Sequence, residues 1–248
     1  MSLNQYLSIL NYRTFFVLLS SFAITFALHY WNVDFSIDLT MLSIAIIFPL
    51  VFTIRGSFRR REKAMEHLSQ FRSALKTLHN YVYCDDKLLT EDHKNEMFQI
   101  LVSISEKTIS HLKENTTETK ALDQIVHQVQ DFVIRYNTLV SGKLRDRIFR
   151  FMSDLHESLE NLHAINTHRT PISLKAYCKI FIYLFPLVYA PTILHTVGTS
   201  APLFVTFFIV LLTQFILVSL YNIQDQLEYP FDDYGLDDIN LEIFKIDR

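Results

Sequence analysis

The sequence predicts an all-α membrane protein: four transmembrane helices in two hairpins, flanking a cytosolic helical bundle. Three observations predict it: where charge is missing, where the basic residues sit, and the helical period of the apolar residues in between. No Asp, Glu, Lys or Arg occurs from Thr14 to Val33, from Leu39 to Ile54, or from Ile180 to Gln224. Half of the 248 residues are hydrophobic and 21 are Phe, so distribution carries the information rather than content.

The first span covers about residues 14–32, and Tyr30 and Trp31 suit the aromatic belt of an interface. A cleavable leader is the rival for this segment, but no small-x-small site follows its apolar core, so it is expected to remain as a span. The second span, about 39–56, is short for a hydrocarbon layer about 30 Å thick. It reaches across if Arg55 and Arg59 snorkel to the headgroups and the bilayer thins locally. The long uncharged run near the C-terminus divides into spans of about 176–195 and 202–222. Its turn is Thr196–Pro202, marked by Gly198 and Pro202.

All 23 Lys and Arg fall at Arg13, between Arg55 and Lys179, or from Lys245 onward. The loops Asn32–Asp38 and Thr196–Ala201 hold none. The positive-inside rule then places both termini and the middle of the chain in the cytosol, with the spans in the cell (inner) membrane. The expected division is a first hairpin at 1–56, a cytosolic helical domain at 57–174, a second hairpin at 175–224 and an acidic tail at 225–248. Cys84 and Cys178 then face the reducing side, and no structural disulfide is expected. A net charge of −3 points to no charged partner, nucleic acid included.

Helical spacing recurs through the middle. Leu68, Phe71, Leu75, Leu78 and Val82 form one stripe, and Met97, Ile100, Leu101 and Ile104 a second. Leu122, Ile125, Val129, Phe132 and Tyr136 form a third; Leu144, Ile148, Phe151, Leu155, Leu159 and Leu162 form a fourth. Breaks are expected at Asp85–Asp86, Asn115–Thr119 and Ser141–Gly142. Four stripes of this kind pack as a bundle. Only Gly56 interrupts the pattern from Leu39 to Val82, so one helix about 66 Å long is expected there, kinked at Pro49.

Little in the chain asks for catalysis, and no enzyme is expected. Its four glycines do not cluster into a phosphate loop. Gly-x-Ser-x-Gly, Cys-x-x-Cys and His-Glu-x-x-His are missing. His156, His163 and His168 are the tightest histidine group, and surface or core roles suit them better than a metal. His195 is expected at the outer surface. Ile44, Phe48 and Phe52 lie at i, i+4 and i+8 on one helical face. By spacing alone this face either packs against helices and lipid or, repeated around an axis, forms hydrophobic rings that gate by dewetting. Asp232, Asp233, Asp237 and Asp238 are dense enough in oxygen ligands for Ca²⁺. No EF-hand pattern is present, and a solvated turn or helix cap is the commoner meaning of such a cluster.

Two segments carry a family resemblance. His168-Arg-Thr-Pro-Ile-Ser-Leu-Lys-Ala-Tyr177, leading into Phe185-Pro186, resembles the entry to the third span of bestrophins. Asp225-Gln-Leu-Glu-Tyr-Pro-Phe-Asp232 resembles the family's Pro-Phe motif and the acidic stretch after it. The order of elements is similar over nearly the whole chain. The resemblance implies a pentameric channel for chloride or other small monovalent anions, with lipid, ions and further copies of the chain as its partners. It places Ile44, Phe48 and Phe52 at a narrow neck, and Asp237 and Asp238 nearest a calcium clasp. No cofactor is required on this reading, with calcium as an optional ligand. Departures exist: Arg60-Arg61-Glu62 stands where many members have Arg-Trp, and Pro49 lies within the neck. Arg55, Arg59, Arg60 and Arg61 form a basic cluster at the inner mouth, where they concentrate anions or anchor the chain. The alternative function is a non-conducting scaffold or sensor whose helical domain binds a partner.

Overall fold

A computed structural model describes residues 10–84, 89–114, 116–197, 202–235 and 237–247, and these contain helices and no strand. In chain order the helices are α1 (Tyr12–Tyr30), α2 (Thr40–Tyr83), α3 (Glu91–Glu114), α4 (Lys120–Arg135), α5 (Gly142–Thr167), α6 (Ile172–Val197) and α7 (Leu203–Leu227). A 3-10 turn, Leu241–Phe244, follows. The break expected at Asp85–Asp86, Asn115 of the second break, and residues 198–201 of the turn between α6 and α7 lie outside the described residues.

Two compact units share the chain: Met1–Arg59 with Thr170–Glu228, and Arg60–Arg169 with Tyr229–Arg248. In the first, α1 packs on α6 and α7, and α6 packs on α7. Val17, Ile46, Leu50, Ile182, Phe185 and Leu217 build its core. Small and hydroxyl-bearing residues let the backbones approach: Ser21, Thr25 and Ala190 are buried. The Ser21 and Thr25 hydroxyls donate to the carbonyls of Val17 and Ser21 one turn back, so neither presents a bare polar atom to hydrocarbon. Asn11 caps α1 through a reciprocal pair of bonds with Thr14. Asn222 of α7 donates to the Thr14 hydroxyl at 2.9 Å.

Four stretches are long and apolar enough to cross a membrane, beginning at Tyr12, Thr40, Gly142 and Leu203. The third of these carries its apolar part in α6. Within the chain only 22–33% of each apolar window is buried. Faces this apolar need lipid or another chain to cover them, since single soluble domains rarely expose such area.

The second unit is a helical bundle, and the sequence stripes form its core. Leu68, Phe71, Leu75, Leu101, Ile104 and Ile148 are at or near zero exposure. Ser141 caps α5, accepting a hydrogen bond from the Leu144 amide at 3.2 Å. The C-terminal segment also enters this core: Phe231, Ile239, Leu241 and Ile246 are buried against the bundle. Arg72 holds it by donating to the Lys245 carbonyl at 3.2 Å. Lys113 adds ion pairs to Asp233 at 3.0 Å and to Glu242 at 3.3 Å.

Helix α2 is unbroken over 44 residues, as the missing breakers between Leu39 and Val82 predict, with Pro49 inside it. Its N-terminal half contributes Ile46 and Leu50 to the first core, and its C-terminal half contributes Leu68 and Phe71 to the second.

Candidate functional site: one face of helix α2

Helix α2 has two different faces in the first unit. Ile46 and Leu50 are 1% and 0% exposed, whereas Ile44, Phe48 and Phe52 are 54%, 61% and 52% exposed. Residues two apart on a helix point about 200° apart, so burying one set turns the other outward. The Phe48 and Phe52 rings stack in sequence order, edge to face, with centroids 4.6 Å apart and planes at 90°. That contact presents ring edges, which carry partial positive charge, as well as faces. On the opposite side the Thr53 hydroxyl is buried and donates to the Leu50 carbonyl at 2.8 Å.

Arg55 and Arg59 are exposed and continue the same stripe. With Ile44, Phe48 and Phe52 they fall within an arc of about 80° at 100° per residue. Arg60 and Arg61 lie elsewhere on the helix and belong to the second unit. Arg60 is half-buried. Arg61 donates through Nε to the Asp237 carbonyl at 2.5 Å. The expected basic cluster therefore divides: two arginines line up with the apolar stripe, and Arg61 bonds the C-terminal segment.

The acidic residues spread similarly. Asp233 is paired with Lys113, and its backbone takes the left-handed region, with φ of 60°. Asp237 is exposed and contributes its carbonyl to Arg61. Asp238 accepts a bond from the Gly235 amide at 2.5 Å. A Cβ at Gly235 would meet that carboxylate, so a larger residue there would make the Asp238 side chain shift. Burial and then the bond to Asp232 push the Asp238 carboxyl up to about 7. Among the described residues no three His, Cys, Asp or Glu side chains converge on a point that could hold a metal ion.

Of the histidines singled out by sequence, His163 and His156 settle in pairs with other histidines of the bundle. His111 Nε2 and His163 Nδ1 are 3.0 Å apart, and Thr116 Oγ1 lies 3.0 Å from His111 Nδ1. His127 and His156 rings face each other at 6.5 Å. His168 lies against Thr167. Burial, followed by the neighbouring His163, holds His111 below the ordinary imidazole range. At the first unit, His195 Nδ1 lies 3.2 Å from Asp34.

One cluster has no forerunner in the sequence reading. Arg13, Asp225, Lys175 and Glu228 form a chain of ion pairs at 2.6, 3.0 and 2.5 Å. It ties the start of α1 to the start of α6 and the end of α7. The Glu228 carboxylate also accepts from the Thr170 amide and from Gln224, each at 3.1 Å. Both acids lie in the Asp225–Asp232 segment, whose density of charge directly after an uncharged span was the available signal.

No family sequence profile matches the chain, and no curated protein matches it. Its fold does match solved structures. A bacterial bestrophin homologue from Klebsiella pneumoniae, phased with zinc, superposes at a TM-score of 0.79 and 15% identity, covering 94% of this chain and 93% of that one. A point variant of that homologue gives 0.80 at 15% identity, over 94% of each chain. A crystal structure of a membrane-protein variant gives 0.81 at 15% identity, over 94% of this chain and 95% of that one. The chain has the fold of bacterial bestrophin homologues, and with four apolar helices of spanning length it is an integral membrane protein.

Proposed function

We propose, from this fold, that the chain is one subunit of a homo-oligomeric ion channel. It assembles as a pentamer in the cell membrane with both termini cytosolic, and passes chloride or other small monovalent anions. The path runs along the axis between copies of α2. Ile44, Phe48 and Phe52 form stacked apolar rings at the neck, and Arg55 and Arg59 stand beside it at the inner mouth. The observation that carries this reading is the outward stripe on α2: a row of large apolar side chains left uncovered by the chain's own core, running directly into two exposed arginines.

The physics of such a path is specific. An apolar ring holds water weakly, so it conducts only when wetted, and it binds ions too weakly to trap them. Phenyl edges turned inward soften the cost for a partly dehydrated anion. The arginine pairs, repeated in each subunit, raise anion concentration at the entrance, because a charged mouth with apolar walls focuses the field. No cofactor is needed for any of these steps.

The test is the reversal potential of purified protein in a planar bilayer under a KCl gradient. Reversal near the chloride equilibrium potential supports the full reading. Reversal near the potassium potential keeps the channel and inverts its selectivity. Phe48→Ala with Phe52→Ala should raise conductance severalfold by widening the neck. Silence from both well-folded proteins leaves the non-conducting scaffold as the better account.

A further inference from the structure

A proline inside a helix has no amide hydrogen, so the carbonyl four residues earlier loses its donor. In hydrocarbon no water replaces that donor, and the carbonyl must find a partner in the protein. Pro49 in α2 frees the Ala45 carbonyl, and Pro186 in α6 frees that of Ile182. Both carbonyls are met by side chains from another helix of the first unit. The Tyr177 hydroxyl of α6 donates to Ala45 O at 3.2 Å. Gln214 Nε2 of α7 donates to Ile182 O at 3.1 Å. Each acceptor is the position a proline vacates, at two of the three prolines inside these helices, the third being Pro191. Gln214 is fully buried within an uncharged run, and its amide nitrogen is directed at this carbonyl.

The two sites differ in place. Ala45 follows Ile44, and Pro49 follows Phe48, so the interrupted turn of α2 carries one neck side chain and begins directly after another. Tyr177 is half-buried and braced by Phe181, with ring centroids 4.4 Å apart. We propose that Tyr177 is a positioning residue for the neck: its hydroxyl replaces the hydrogen bond that Pro49 removes, and so fixes the direction in which Ile44 and Phe48 leave the helix. This deepens the channel reading and rests on it for its effect on conduction, while the hydrogen-bond substitution stands apart from it. Without the hydroxyl, the Ala45 carbonyl draws in water or pulls the turn tighter. Either outcome changes ring spacing and wetting at the neck.

The test is a double-mutant cycle, read by single-channel conductance and by the thermal unfolding midpoint of the purified protein. Tyr177→Phe removes only the hydroxyl. Pro49→Ala restores an amide hydrogen that can serve Ala45 from within the helix, and so should make the hydroxyl dispensable. With Pro49 present, Tyr177→Phe is expected to change conductance at least twofold and to lower the midpoint. In the Pro49→Ala background the same substitution should change neither. An effect of equal size in both backgrounds, or none with Pro49 present, overturns the assignment. Gln214→Met, which removes the matching donor at Pro186 away from the neck, should lower the midpoint and leave conductance unchanged. If it alters conductance as Tyr177→Phe does, the effect is general loosening and the neck role is wrong. If every variant is electrically silent but the unfolding cycle is non-additive, the channel reading fails and the hydrogen-bond substitution survives.

Discussion

Replacing Lys175 by Met tests the ion-pair chain that joins α1, α6 and α7. Lys175 lies 2.5 Å from a Glu228 carboxylate that is 1% exposed, and is itself 19% exposed. The substitution leaves that carboxylate with neutral donors, the Thr170 amide and Gln224. Removing one partner of a buried pair costs about 3–5 kcal/mol, because the remaining charge stays desolvated. Asp225 loses a partner too but keeps Arg13 at 2.6 Å, so its share is smaller. For a chain of this size each kcal/mol moves an unfolding midpoint by about 2–4 °C. Lys175→Met should therefore lower it by roughly 6–20 °C. Glu228→Gln keeps an oxygen for Thr170 and removes the charge, at a cost of about 1–3 kcal/mol. The double variant should sit above Lys175→Met alone, since no unpaired carboxylate is left at that position. The assay is thermal unfolding in one detergent at one scan rate. A Lys175→Met midpoint within 2 °C of wild type, or a double variant as low as the summed singles, would refute the buried pair.

The remaining predictions concern titration and charge. His111 has a folded value below its ordinary 6.5, so its neutral form supports the fold fully above that pH and the support is lost as pH falls toward the lowered value. The unfolding midpoint should drop between about pH 7 and pH 5, and His111→Gln should flatten that drop; an unchanged slope rejects the assignment. Asp238 works in the opposite sense: its raised value means the fold is favoured by the proton and loses stability as pH rises from 3.8 toward about 7. Asp238→Asn, which keeps an acceptor for Gly235 and gains a donor for Asp232, should be more stable than wild type at about pH 8 and no different near pH 4; equal midpoints at both would contradict it. Arg55→Gln with Arg59→Gln should reduce conductance in about 0.1 M KCl and have little effect in about 1 M, because the screening length falls from about 10 to 3 Å. A salt-independent loss would point to structural damage instead.

The bundle was legible because each of its helices turns one stripe to a shared core, and a stripe such as Leu68, Phe71, Leu75 repeats every turn whatever it packs against. The same rule exposed Ile44, Phe48 and Phe52, though period alone does not tell an inward face from an outward one. Burial of Ile46 and Leu50 decided that. Pairings were not legible. Arg13 and Asp225 are 212 residues apart, and no local pattern links them. The Ala45 carbonyl is invisible by residue type, since every residue has one; Pro49 marks it, but nothing in the sequence names Tyr177, 132 residues on, as its donor. The basic cluster was read as one patch because four arginines lie within seven positions, whereas a helix sends Arg60 and Arg61 to other sides. The C-terminal segment was read through its acids. Phe231, Ile239, Leu241 and Ile246 are too unevenly spaced for a helical or strand-like signal, so their burial was not predicted.

That segment has a consequence for how the protein is made. The bundle's helices end at Thr167, yet the residues that finish their core arrive only after α6 and α7 have been synthesised. At about 5–20 residues per second the ribosome needs several seconds to cover that distance. During this interval the nascent bundle carries an open apolar groove where Phe231 and Leu241 will sit. The chain seals its own helical bundle last, so a ribosome that stops early releases a bundle still marked as incomplete by exposed core.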